Sequence, residues 1–453
     1  MTTIGSLLLV ALAALTVGDA WEIRVPAGAS REFIYTDKEA THFSSESVGR
    51  NSRSYHGLYN GMHEYLDSWE LMVDGAVLDP DGIREARAYP HTIFREYTEG
   101  VTEEIVLPDR AAALAVRFTG IPVGTHALIP WADMRWIWDV PRPEYSVFWE
   151  KKNNVLLLSR IDKPFPQDRP QWLAVTATVP LDFTPDERSR RTHYPKDAAR
   201  KAMGETFPWS PGSLTFSVAR DEPVLFGFLL GATADDAAAK AIEFAAAGEG
   251  GLNTAKALKL GRVEELVAQA GVETTDDESN QALRWAMVSM DNLIMNQRGR
   301  GIYAGFHWFV TYWGRDSFIA LPGACLATKR YDVSREIILS FVEHQLTDPG
   351  SERLGRVPNI VDVKNLQYAS IDGTWWLVRA MWKHVIACGD QEVLEKGFPH
   401  VRLAIEGALE KAVDDDGFIT HGDGETWMDA GGEANPYSPR GNRAVEVQAL
   451  FHH

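Results

Sequence analysis

The sequence predicts two unlike parts: an antiparallel β-sandwich up to about residue 232, followed by an all-α domain whose helices are joined by long loops. Three observations carry this reading. Short apolar runs separated by Pro, Gly and Asp clusters fill the first part. The texture turns Ala-rich and helical at Thr233. From residue 275 onward, apolar side chains recur at helical spacing between loops rich in Gly, Pro and Trp.

Residues 1–20 open on a small, apolar run (7–17) that ends near Gly18-Asp19-Ala20. This is the size of a signal-peptide core before a small-residue cleavage site. No Lys or Arg precedes it, and it is too short to span a bilayer. An edge strand or a misassigned start codon fits equally well. Within 21–232, strands are expected at 111–118, 155–158, 173–179 and 224–230, a spacing that suits a sandwich. Segment 131–172 is crowded with Pro and Trp and shows no helical period.

Residues 233–273 read as a helical linker, with helices at 237–247 and 254–270 broken by Gly248 to Gly251. Within 274–453, Thr275-Asp276-Asp277-Glu278 has the form of a capping box. Leu283, Met287, Met290 and Ile294 keep helical spacing behind it. Further helices are expected at about 316–328, 333–346, 370–387, 391–413 and from 444. Loops between amphipathic helices place the chemistry at one end of a toroid or bundle.

Composition excludes more than it names. A formal net charge of -18 and a pI near 5.2 leave no basic patch for nucleic acid or anionic lipid. Neither is expected as a partner, whereas a neutral carbohydrate is compatible. The fifteen Trp are read first as core filler and second as sugar platforms. Cys325 and Cys388 sit in apolar, helix-patterned segments and read as buried free thiols. No metal-ligand spacing is found: Asp414-Asp415-Asp416-Gly417 lacks the alternation and closing Glu of a calcium loop. No Gly-x-Ser-x-Gly elbow, Walker loop or His-Glu-x-x-His is present, and no cofactor is expected. The lack of an Asn-x-Ser/Thr site fits a cytoplasmic location, with secretion the alternative if residues 1–20 are a signal. Oligomeric state is not legible.

Three constellations carry chemistry. In Tyr312-Trp313-Gly314-Arg315-Asp316-Ser317, Arg315 and Asp316 are suited to gripping sugar hydroxyls, with Trp313 as a platform. A helix-start Asp paired with an Arg is the plainer reading. Preceding it, His307-Trp308-Phe309 adds a second aromatic cluster. In Tyr368-Ala369-Ser370-Ile371-Asp372, Asp372 opens a helix whose apolar stripe runs Ile371, Trp375, Val378, Trp382 and Val385. In Glu425-Thr426-Trp427-Met428-Asp429, two carboxyls four apart share a face if the segment is helical. In an apolar pocket, one of them would become a general acid. Glu446, an acid in an apolar helix face, calls for a ligand or an ion pair with Arg443.

In this order, these motifs resemble those of the archaeal and bacterial glycogen debranching enzymes, the amylo-α-1,6-glucosidase family. Asn51-Ser52-Arg53-Ser54-Tyr55-His56-Gly57-Leu58 is similar to that family's N-terminal signature. Trp313 to Phe318, Ser370 to Thr374 and Thr426 to Ala430 are similar to its catalytic motifs. The resemblance implies a β-sandwich followed by an (α/α)6 toroid, here with about half its helices. It implies inverting release of glucose from α-1,6 branch points of a branched α-glucan such as glycogen or limit dextrin. It assigns the general acid to Asp429 and sugar binding to Trp313, Arg315, Asp316, Tyr368, Asp372, Glu425 and Trp427. It places the general base on a late helix, expected beyond His453. The alternatives are a non-catalytic α-glucan-binding protein and a glucoamylase- or trehalase-like hydrolase.

Overall fold

The computed structural model describes residues 20–362 and 366–453. The expectation for residues 1–20 therefore falls almost wholly outside the described residues. The chain divides into two compact units, one holding residues up to Glu264 with Asp277–Trp285, the other holding Glu265–Asp276 with Ala286–His453. An antiparallel, sheet-rich N-terminal region is followed by a helical one.

The first unit contains two large antiparallel sheets. One runs in the order Ile23–Pro26, Ile83–Tyr89, Thr92–Tyr97, Thr102–Val106, Ala113–Thr119, Val224–Gly231, Trp172–Ala177, Val155–Arg160, Tyr145–Glu150. The other runs Asp182–Ser189, Trp209–Val218, Gly124–Trp136, His63–Val73, Gly57–Asn60, Thr41–Glu46, Glu32–Thr36. The four strand expectations hold within about two residues.

The unbroken apolar runs among those strands have a physical cause. Successive side chains of a strand point to opposite faces. Leu156 and Leu158 join Leu66, Leu128 and Phe226 in the main core. Val155 and Leu157 face the other way, onto Ala237, Ala238 and Ala241. These strands are buried on both faces and show no alternation.

Those three alanines belong to the helical run Ala234–Ala270, which kinks at Gly248 where φ is +52°. The expected linker is thus largely packed against the sheet. Lys259 fastens its far end: almost fully buried, its Nζ donates to the carbonyls of Thr36 (2.7 Å) and Leu107 (2.8 Å) and pairs with Asp109 at 3.1 Å. The helix after it is Asp277–Leu293, so Asp276 stands at the N-cap position, one residue later than the expected capping box places it.

In the second unit the helix Asp372–Cys388 is central. It touches Gly314–Leu321, Tyr331–Val342, Gln391–Lys411 and Val445–His452. Ile371, Trp375, Ala404, Ala408, Ile419 and Val447 form a core around its first turns. The stripe expectation fails at its far end, because Trp382 is exposed. Gly389 ends the helix in the left-handed region, and Asp390 caps the next one by accepting from the N–H groups of Glu392 and Val393. The helix expected at 316–328 starts at Gly314 and gives way at Pro322 to a wider π-type turn, Pro322–Leu326. Cys325 is buried as expected; Cys388, near the helix end, is exposed, contrary to expectation. No helix among the described residues is long and apolar enough to cross a membrane.

Candidate active site

The site is built around Arg315. Strand Phe309–Trp313 runs directly into helix Gly314–Leu321, and the Gly314 N–H donates to the Asn359 carbonyl at 2.9 Å. A Cβ on Gly314 would lie 2.6 Å from the Pro358 carbonyl oxygen, so only glycine fits this junction. The next residue, Arg315, is delivered into the interior and is 8% exposed.

Every nitrogen of its guanidinium is engaged. Nε donates to Asp372 Oδ2 at 2.7 Å and Nη2 to Asp372 Oδ1 at 2.9 Å, a bidentate pair. Nη2 also donates to Ser370 Oγ at 2.8 Å, and Nη1 donates to Asp429 Oδ2 at 3.3 Å. Ser370 in turn hydrogen-bonds Asp372. Burial works against the Arg315 charge, but Asp372 and then Asp429 outweigh it and hold the group above its ordinary range.

Asp316 stands beside this cluster and pairs with no other side chain among the described residues. Burial pushes its carboxyl above the usual carboxylate range; Arg315 opposes this, while the Asp429 and Asp372 charges add to it. Asp429 is partly exposed, and its Oδ1 has no hydrogen-bond partner among the described residues.

Glu425 belongs to a second assembly. Arg356 donates to both its oxygens, at 3.1 Å and 3.2 Å, Arg353 donates at 3.1 Å, and the Gly422 N–H donates at 3.1 Å. Burial raises its carboxyl, but Arg356 above all pulls it below the ordinary range. Residues 421–443 are irregular rather than helical, so Glu425 and Asp429 do not share a helix face, and Glu425 is not an acid raised in an apolar pocket. What Glu425 does is tie loops together. Its carbonyl accepts from the Ile371 N–H at 2.9 Å, immediately before Asp372. Arg356 also reaches the Tyr368 and Ala369 carbonyls, each at 3.4 Å.

Of the remaining expected residues, Tyr368 joins the second assembly through its carbonyl, and the side chains make separate contacts. The Trp313 indole donates to Thr311 Oγ1 at 3.0 Å, and Phe309 stands edge-on to its ring at 5.7 Å. The Tyr368 hydroxyl donates to the His344 carbonyl at 2.7 Å. Trp427 is 54% exposed. Glu446 pairs with Arg440 at 2.9 Å rather than with Arg443, which goes to Asp414 and Asp416.

Sequence reasoning missed Ser370, Arg353 and Arg356. Ser370 lies inside a motif, two residues before Asp372. The two arginines carry no local signal, because their partners are about 70 residues away in the chain.

Residues 279–453 match the family model described as amylo-alpha-1,6-glucosidase, and the resemblance to the glycogen debranching enzymes is supported over this part of the chain. In fold, the chain is similar to a bacterial glucoamylase complexed with acarbose, with a TM-score of 0.51 at 8% identity over 86% of this chain and 61% of that one. The chain thus spans about three fifths of the glucoamylase's length. More distant are a putative kojibiose phosphorylase from the human microbiome (TM-score 0.49, 11% identity, 89% of this chain and 55% of that chain) and an inverting mannosidase from Bacteroides thetaiotaomicron (0.46, 10%, 90% and 54%). These two carry no argument.

Proposed function

We propose that this chain is a glycoside hydrolase of the amylo-α-1,6-glucosidase type, with residues 274–453 forming part of an (α/α)6 catalytic domain. Its substrate on this reading is a glucose joined through an α-1,6 bond to a branched α-glucan. The single observation that carries the reading is the gathering of Arg315, Asp372 and Asp429, from three separated motifs, around one guanidinium.

The roles follow from what each group has free. Asp429 is the general acid: its Oδ2 faces Arg315, and its unpartnered Oδ1 is the atom that presents a proton to the glycosidic oxygen. Asp316, with no side-chain partner, takes hydroxyls of the bound glucose. Arg315 is a positioning residue, holding Asp372 and Asp429 in one geometry. Trp427 and Trp313 offer flat faces for the pyranose ring. Glu425, its oxygens already occupied, holds the loop that carries Trp427 and Asp429. Inversion requires a second carboxylate about 6.5–9.5 Å from the acid to activate water. None of the described residues is assigned to that role.

The test is glucose release from branched limit dextrin, followed by NMR of the newly formed anomer, with binding measured alongside. Dextrin binding kept, and β-glucose release lost, in Asp429→Asn would uphold the reading. Release unchanged by that substitution, or no dextrin binding by the native chain, would overturn it. Maltotriose and trehalose as competing substrates separate glucoamylase- and trehalase-like activity, and binding without turnover marks a glucan-binding protein.

A further inference from the structure

Away from the candidate active site, where helix Asp372–Cys388 meets helix Gln391–Lys411, three side chains of different chemistry converge. One ligand atom each of His384, Cys388 and Asp390 lies within 4.8 Å of the other two. The sequence offered no recognised ligand spacing here; the turn at Gly389 brings the three together. We propose that His384, Cys388 and Asp390 form a binding site for a divalent cation of the zinc class.

The distances suit one. A tetrahedral zinc ion with Zn–N and Zn–S bonds of about 2.0 and 2.3 Å separates its N and S ligands by about 3.5 Å, and N from a carboxylate O by about 3.4 Å. Cys388 Sγ is 3.5 Å from His384 Nε2, already at that spacing. Asp390 Oδ2 is 2.9 Å from Nε2 and would retreat by about 0.5 Å.

The ligands are also oriented from behind. Ser334 Oγ sits 2.9 Å from His384 Nδ1 and can accept its N–H, so a cation on Nε2 shifts the ring proton from Nε2, where it faces Asp390, to Nδ1. Asp390 Oδ1 is committed to the helix cap, which leaves Oδ2 turned to the site. Cys388 is exposed, so a cation and a fourth, water ligand enter from solvent without opening the core. On binding, the Cys388 S–H, which otherwise donates to the His384 carbonyl at 3.2 Å, releases its proton to solvent.

One group opposes the cation. Arg335 Nε donates to Asp390 Oδ2 at 2.6 Å and must yield. It is 39% exposed, and its Nη1 already lies 3.5 Å from Glu392, which gives the displaced guanidinium a carboxylate to move to. Sulfur and imidazole donors select zinc-class ions over calcium or magnesium.

The whole chain is tested with zinc and cobalt. Cys325 is buried, so a thiol reagent reads Cys388 first. Zinc should slow that labelling while magnesium leaves it unchanged. Cobalt should give a thiolate-to-metal charge-transfer band that Cys388→Ser abolishes without altering the far-ultraviolet circular dichroism. Ser334→Ala should keep the band but weaken cobalt affinity by roughly 10–100-fold. Labelling indifferent to zinc, or a band that survives in Cys388→Ser, would overturn the assignment.

Discussion

Glu425→Gln asks whether Glu425 is a structural tie or a sugar ligand. The substitution keeps size and shape but removes the charge that Arg356 pairs with. Both partners are almost buried, with side-chain exposures of 10% and 9%, so water cannot take over the lost interaction. Breaking one side of a buried pair costs about 3–5 kcal/mol. Arg353, at 32% exposure, is better solvated and adds little. Taking about 3 kcal/mol, at about 2–4 °C per kcal/mol for a domain of this size, the melting temperature should fall by roughly 6–12 °C at pH 7.

The pH dependence has a definite sign. The folded Glu425 carboxyl is held below its ordinary value of 4.5, so its contribution is fully present above that pH. It is lost as pH falls through the lower folded value, and the gap between native protein and variant should close over that range. Thermal unfolding by circular dichroism at a series of pH values, beside dextrin binding, makes the measurement. A variant melting within about 1 °C of the native protein at pH 7 while losing dextrin binding would refute the argument. Glu425 would then be touching sugar.

Three further outcomes are expected. Arg315→Lys removes the fork that holds Asp372 and Asp429 together; a misplacement of about 1 Å can cost about 10²-fold, so a fall of that order in kcat is expected in glucose-release kinetics. Trp427→Ala should leave the melting temperature unchanged, because the ring is largely exposed, yet raise KM for dextrin about tenfold through lost stacking worth about 1.4 kcal/mol. Asp316→Asn removes a carboxyl whose folded value is raised, a penalty that is absent at low pH and grows as pH rises. The variant should therefore melt higher than the native protein at pH 7 and equally near pH 3, while losing sugar affinity; a lower melting temperature at pH 7 would mean Asp316 is paired.

The fold was legible wherever burial marks the sequence. Strands buried on both faces gave unbroken apolar runs, and the Ala-rich segment gave a helix. Whether that helix joins two domains or packs on one was not legible. Ala237, Ala238 and Ala241 fit a close helix–sheet contact, but the same residues satisfy helix propensity in an exposed linker. The helix expected to reach 328 stops at Leu321, where Pro322 opens a wider turn, whereas at the Gly389-Asp390 turn the expected ends hold within one residue. Trp382 reads as core because its spacing continues the stripe from Trp375, yet spacing shows only which residues share a face.

The site was legible as motifs but not as pairings, and the reason is geometric. Neighbouring side chains on an α-helix project about 100° apart. Arg315 and Asp316, at the first turn of Gly314–Leu321, therefore point in different directions. The junction at Gly314 sends Arg315 inward to Asp372 and Asp429, 57 and 114 residues further along the chain. Asp316 is left beside them with no side-chain partner. The two residues thereby divide the work of the site. The arginine arranges the carboxylates through four of its five N–H donors, and on the proposed function the adjacent aspartate is the one that takes the sugar. Adjacent letters in a motif can thus serve one site while touching different things, and only the fold shows which touches which.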